Sequence, residues 1–302
     1  MSFTLLGILN AQAAGVEPSI GEFTQRTVPG DPGNIFGVTF GSGLYVAAGG
    51  NFPDSYLATS TDGITWTERT LANSSRLDGG VLHNNGLFII AGRDAYLATS
   101  TDGVNWTQRT APNYSGVFTG LTFGNGLYVL VGEQGYLATS PDAITWTDRS
   151  DSSFPSNVGH LAFGNNLFLL SGSDTYLATS PDAITWTERT VPNYSFSLFS
   201  SGFGDGIYII TGAVGYLATS SDGITWTQRS LPGYSNSVND SEFGNGLHTI
   251  TGNLGFFATS LDAITWEQRT ITNEPSLNEI AISDDLCVVV GNSGYVATAP
   301  LE

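Results

Sequence analysis

The sequence predicts an all-β protein: a seven-bladed β-propeller of four-stranded antiparallel blades, its ring closed by an N-terminal strand that completes the last blade. Three observations carry this expectation. A segment reading YLATSTDGITWTERT begins at Tyr56, and relatives of it follow at Tyr96, Tyr136, Tyr176, Tyr216 and Phe256, each 40 residues after the last. Each unit divides into four short β-prone runs separated by turn residues. The runs do not come out even at the two ends of the chain, and the mismatch is complementary.

The third unit shows the elements in order. Leu121 to Phe123 is followed by the turn Gly124-Asn125-Gly126, whose residues tolerate the positive φ of a tight hairpin. Leu127 to Val131 and Tyr136 to Ser140 are the second and third strands. After Pro141-Asp142-Ala143, the run Ile144 to Ser150 reads as the outer strand. Thr, Val, Tyr and Trp suit a half-buried pleated surface. No stretch keeps the i, i+3, i+4, i+7 spacing of a helix. A seventh set begins near Asn278 and ends without its Trp-bearing strand, while Phe23-Thr24-Gln25-Arg26-Thr27 matches Trp226-Thr227-Gln228-Arg229-Ser230. The N-terminal run is therefore expected to fill the missing outer strand and cover an otherwise open sheet edge. The division that follows is 1–20 as an N-terminal anchoring segment and 21–302 as the propeller.

Composition removes several function classes. The 302 residues hold 9 basic and 27 acidic side chains, a net charge of −18, and every basic residue is arginine. A nucleic-acid surface needs a basic stripe to displace counterions, and an anionic membrane surface is disfavoured for the same reason. No apolar run approaches the ~20 residues of a membrane-spanning helix. The one cysteine, Cys287, sits in the apolar run Leu286 to Val290 and reads as a buried thiol. His83, His160 and His248 show no metal-ligand spacing. No calcium loop, nucleophile elbow or phosphate-binding loop is present. No carboxylate pair stands out as glycosidase machinery. The expectation is a non-enzymatic protein without cofactor or metal.

Ser60-Thr61-Asp62-Gly63-Ile64-Thr65-Trp66 resembles the Asp-box, or BNR repeat, in a form one residue shorter between Asp and Gly. The resemblance covers six units, through Asp62, Asp102, Asp142, Asp182, Asp222 and Asp262. It implies a structural turn on the face away from any ligand, in a family spanning sialidases, sortilin-like receptors, glycosidases and lectins. Fold kinship does not settle function among these. An Asp in such a turn accepts backbone N–H bonds. The six tryptophans, each four residues after its Asp, are expected to pack against the blade. Seven arginines recur once per blade, Arg26, Arg69, Arg109, Arg149, Arg189, Arg229 and Arg269, and are expected to fork to carboxylates or carbonyls of the adjacent turn.

Binding residues are expected on the connections from each outer strand to the next inner strand. These place Tyr114, Phe154, Tyr194 and Tyr234 at matching positions, beside Asn113, Asn193 and Ser235. Rings flanked by amides and hydroxyls suit a host-surface glycan; the same rings also suit covering a hydrophobic edge between blades.

The opening FTLLGILNAQAAG lies outside the repeat and lacks the positive n-region of a signal peptide. It resembles the start of virion structural proteins of marine and cyanobacterial bacteriophages. That resemblance implies a docking segment, with Phe3, Leu5, Leu6, Ile8 and Leu9 anchoring the chain to other virion proteins in a larger assembly. The expectation is a bacteriophage virion structural protein, in a tail fibre, tail tip or capsid decoration. The alternatives are a secreted or cellular lectin and, third, an Asp-box glycosidase.

Overall fold

The computed structural model describes residues 17–72, 75–151, 154–271 and 276–302. The anchor residues Phe3, Leu5, Leu6, Ile8 and Leu9 lie outside them. Seven four-stranded antiparallel sheets are present, with two single-turn 3₁₀ segments at Ala213–Gly215 and Asn292–Gly294. In six sheets the strands run in chain order from the channel to the rim, and in the seventh the N-terminal strand takes the rim position. The inner strands are Asn34–Gly41, Val81–Asn84, Phe118–Gly124, Val158–Gly164, Leu198–Gly204, Val238–Gly244 and Leu277–Ile282, which number blades 1 to 7. The core is divided into clusters of buried side chains, which second- and third-strand residues such as Val129, Val131 and Leu137 dominate.

Blade 7 is the one built from both ends of the chain. Thr24–Arg26 pairs with Val296–Pro300 in the register Thr24↔Thr298, Gln25↔Ala297 and Arg26↔Val296. Residues assigned to the leader by sequence belong to this closure as well. Ser19 and Glu302 exchange backbone bonds of 3.0 Å each, Ile20 bridges Leu301, and Ile20 is 2% exposed. The blade 7–blade 1 seam is joined where Asn278 Nδ2 donates to the carbonyl of Ile35 at 2.8 Å.

The outer strands are shorter than expected. Ile144 to Ser150 reduces to Thr147–Asp148, because the Asp142 carboxylate takes the N–H groups that would open the strand. Asp142 Oδ1 accepts from Ile144 N at 2.8 Å, from Thr145 N at 2.7 Å and from Ser140 Oγ at 2.9 Å. The same bonds recur at Asp62, Asp102, Asp182, Asp222 and Asp262. Donated N–H bonds favour the charged form, so Asp62 and Asp222 are held down to about 2. Ile and Trp do not share a strand face, since both fall at or before the start of the strand. Ile144 points to solvent, whereas Trp146 is buried and donates its indole N–H to Ala143 O at 3.2 Å. Asp142→Ala is expected to cost about 1 kcal/mol, because water replaces the carboxylate at exposed N–H groups. A thermal midpoint lowered by about 2 °C checks it.

The arginine expectation needs a correction. In six blades the Nε donates to a threonine hydroxyl of the third strand, from 2.7 Å at Arg26–Thr298 to 3.3 Å at Arg149–Thr139. Carboxylates are not the partners, because the turn aspartates are already saturated by N–H donors. Arg269 differs: it donates to the Glu267 carboxylate at 3.2 Å and to the carbonyl of Ile20 at 2.6 Å, and so ties blade 6 to the closing segment.

Candidate functional site

The propeller has two unlike faces. One carries the hairpins between first and second strands together with the Asp turns. The other carries the turns between second and third strands and the long inter-blade connections, and there the central channel opens.

The connection tyrosines are held by the propeller itself. Tyr114 stacks on Tyr136 with ring centroids 4.1 Å apart, Tyr194 on Tyr216 at 3.9 Å, and Tyr234 on Phe256 at 3.7 Å. Each hydroxyl donates within its own loop, to Val117 O at 2.7 Å, Ser197 O at 2.7 Å and Ser237 O at 2.6 Å. Each also reaches the turn beyond the second strand, at Glu133 O, Ala213 O and Asn253 O. Gly212 makes room for this reach: a Cβ there would fall 2.3 Å from the Tyr194 hydroxyl. Desolvation raises the phenols of Tyr114 and Tyr194 to about 12. Phe154 instead meets Tyr176 and Trp186 edge-on, at 6.4 Å each. Asn113 donates to Asp148 at 3.1 Å, while Asn193 and Ser235 are exposed. These rings therefore fix the loops, with one face and the hydroxyl in use. Tyr194→Phe is expected to cost about 1 kcal/mol through the lost bonds, read as a small drop in thermal midpoint.

The channel holds side chains that the sequence reading passed over. A cavity of about 190 Å³ is lined by Asp78, His160, Ser200, Ser201, Asp240 and Glu279, among others. Asp240 accepts from Ser200 Oγ at 3.3 Å and from the backbone N–H of Ile280 at 3.0 Å, crossing from blade 6 to both neighbours. Glu279 makes the equivalent bond onward to the N–H of Val38. Asn239 and Asn278 likewise bridge to the next blade, donating to Leu277 O and Ile35 O at 2.8 Å each. Inner strands are sheet edges, and these side chains satisfy the polar groups that face the channel.

The same placement perturbs the carboxylates. Desolvation, opposed by the bonds to Ser241, Ile280 and Ser200, leaves Asp240 raised to about 6. Glu242 is exposed, and the crowding of the surrounding strands, with Asp240 nearby, moves it only in the upward direction. Glu279 is raised well above the usual range by desolvation, then by Asp240 and Glu242. Burial lowers His160 to about 4. On the blade 2 side, Asp78 is neutralised by Arg76 Nε at 2.6 Å and Arg93 Nε at 2.8 Å. Among the described residues no group of three His, Cys, Asp or Glu side chains is arranged to hold a metal ion.

A sequence signal for this cluster existed. The inner strands FTGLTF and VGHLAF become VNDSEF in blade 6 and LNEIAI in blade 7, so charge replaces small or apolar residues in the repeat.

The DUF6242 β-propeller domain family matches residues 22–159, under half of the chain. No curated protein matches. Among solved structures, the chain is similar to YCF48 from Cyanidioschyzon merolae, with 16% identity and a TM-score of 0.72 over 92% of this chain and 98% of that one. A structure of YCF48 bound to D1 peptide gives 20% identity and a TM-score of 0.73, over 92% and 94% of the two chains. Virginiamycin B lyase from Staphylococcus aureus gives 11% and 0.80, over 95% and 100%. At these identities the shared property is the propeller fold. No helix among the described residues is long and apolar enough to cross a membrane.

Proposed function

We propose that this protein is a non-enzymatic interaction head: a virion structural protein whose first residues anchor it in a particle and whose propeller presents a binding face outward. One observation carries the reading. Glu17 to Ile20 run beside Leu247, Asp262 and Trp266, where they line a groove of about 450 Å³ on the face of the Asp turns. Glu17 and Ser19 thus lie on that face, and the channel mouth lies on the other. An anchor and a binding surface on opposite faces are what a projecting module requires.

The resemblance of FTLLGILNAQAAG to phage virion leaders supports the particle, and a propeller neighbour bound to a peptide supports protein interaction as the use of the fold. Glycan adhesion through Tyr114, Phe154, Tyr194 and Tyr234 has less support, since the three tyrosines already spend a ring face and a hydroxyl on the scaffold. The test is density-gradient fractionation of native material with N-terminal peptide mass spectrometry. Cosedimentation of an intact N-terminus with a megadalton particle, abolished by Leu5→Asp with Leu6→Asp, is the expected result. A free chain starting near Ala14 overturns the particle and favours a secreted lectin.

A further inference from the structure

Six of the seven inner strands carry a β-bulge at one register, which leaves Phe36, Thr119, Gly159, Phe199, Asn239 and Asn278 unpaired with the second strand. A bulge re-aims its side chain, and these six residues line the cavities of the channel mouth. In blades 3, 6 and 7 the bulged side chain serves the scaffold. Thr119 Oγ1 donates to Val158 O at 2.6 Å, and Asn239 and Asn278 bridge to the next blade in the same way. Blades 4 and 5 have no such bridge, and their bulged residues, Gly159 and Phe199, line one cavity of about 370 Å³.

Neither the backbone nor packing requires glycine at position 159. The φ of Gly159 lies outside the left-handed region, and a Cβ would meet nothing nearer than the Thr119 Cβ at 3.9 Å. A strand glycine that neither φ nor space demands marks a close approach by something else. The other walls of the cavity are unspent as well. Among the described residues the Phe199 ring meets no aromatic ring and no guanidinium, whereas Arg76 lies over Phe36 at 4.9 Å. The His160 imidazole lines both this cavity and the one of about 190 Å³, and among the described residues it makes no hydrogen bond. The half-buried Glu133 carboxylate, on the larger cavity, has no hydrogen bond or ion pair there either.

We infer that this recess binds an organic cation, an alkylammonium or guanidinium group, with its charge at Glu133 and its body against Phe199 in the space that Gly159 leaves. Charge selects the class. A ligand entering the recess takes water from the Glu133 carboxylate, a cost that an anion raises, a neutral group leaves standing and a cation offsets. The other carboxylate on the cavity, Asp78, is already paired with Arg76 and Arg93, and neither arginine lines the cavity. His160, kept neutral by burial, offers an acceptor nitrogen to a cationic N–H group without repelling it. The Phe199 ring adds the aromatic wall that such cations favour.

The experiment is calorimetric titration of the full chain with agmatine, beside acetate and methyl α-glucopyranoside as anionic and neutral probes. One saturable agmatine site is expected, weakening with added salt, and no saturable heat from the other two. Gly159→Thr fills the recess with the residue that blade 3 uses at this register. Agmatine binding should then fall at least tenfold while the thermal midpoint stays within about 3 °C of the wild type. Glu133→Gln should also weaken agmatine at least tenfold. The blocked peptide acetyl-Gly-Arg-Gly-amide separates the two sources of such a cation. Tighter binding than agmatine assigns the site to an arginine side chain of a partner protein, and weaker binding assigns it to a free amine. No saturable binding of either, a preference for acetate or the glucoside, or agmatine binding unchanged by Gly159→Thr or by Glu133→Gln would overturn the assignment. So would a larger drop in the midpoint of Gly159→Thr, since the glycine would then serve the fold. Amine binding goes beyond the interaction-head reading and needs no particle, so failure here and failure of the virion reading are separable.

Discussion

A chain beginning at Val28 is expected to lose its single cooperative unfolding transition, or to unfold at least 10 °C below the full chain. Removing the segment deletes the three-residue ladder with Val296–Pro300 and the Ser19–Glu302 backbone pair. It also removes Ile20 from the blade 7 core, and Phe23, whose ring meets the fully buried Phe257 edge-on at 4.8 Å. Burying two such side chains is worth about 1.5–3 kcal/mol each. The deletion further leaves Arg269 without the Ile20 carbonyl and Thr298 without Arg26. A loss near 5 kcal/mol consumes the whole margin of many domains, which is 5–15 kcal/mol. The newly exposed edge of Val296–Pro300 then invites pairing between molecules. Differential scanning calorimetry with light scattering reads both effects. A truncated chain that melts sharply within about 3 °C of the full chain would show that blade 7 holds as a three-stranded sheet.

The closure was legible in the sequence because repetition makes an absence visible: six Trp-bearing runs, a seventh set lacking one, and FTQRT waiting at the other end. The Asp turns were legible for the same reason. Repetition does not specify partners, however. That Arg69 reaches Thr59 and not a carboxylate depends on strand register, and on Asp62 being saturated already by Ile64 and Thr65. The channel was lost because a search for repeated features discards single ones. Asp240, Glu242 and Glu279 each occur once in their register, and only ring closure brings blades 6 and 7 together around a common axis.

Above about pH 6.5, stability is expected to fall as the solution becomes more alkaline, the reverse of the limb that paired carboxylates usually give. Two opposed groups of carboxylates set this profile. The turn aspartates have folded pKa values below the ordinary ~3.9, so their contribution is complete above that value and disappears as pH drops toward about 2. The channel carboxylates are shifted the other way, with Asp240 at about 6 and Glu279 well above the usual range. The folded chain there keeps protons that the unfolded chain releases near pH 4, so these groups favour unfolding progressively from about pH 4 upward. Burial lowers His83, His160 and His248, so below about pH 6.5 the unfolded chain binds protons on its histidines that the folded chain does not, which opposes the channel. Above that pH little else titrates: there is no lysine, and the Cys287 thiol is pushed up by burial. A decline in thermal midpoint of about 3 °C between pH 7 and 9 is thus assignable to the channel. Glu242→Gln with Glu279→Gln should flatten it and leave the acid limb unchanged. A wild-type midpoint that is level from pH 7 to 9 would mean that channel water solvates these carboxylates as bulk water does.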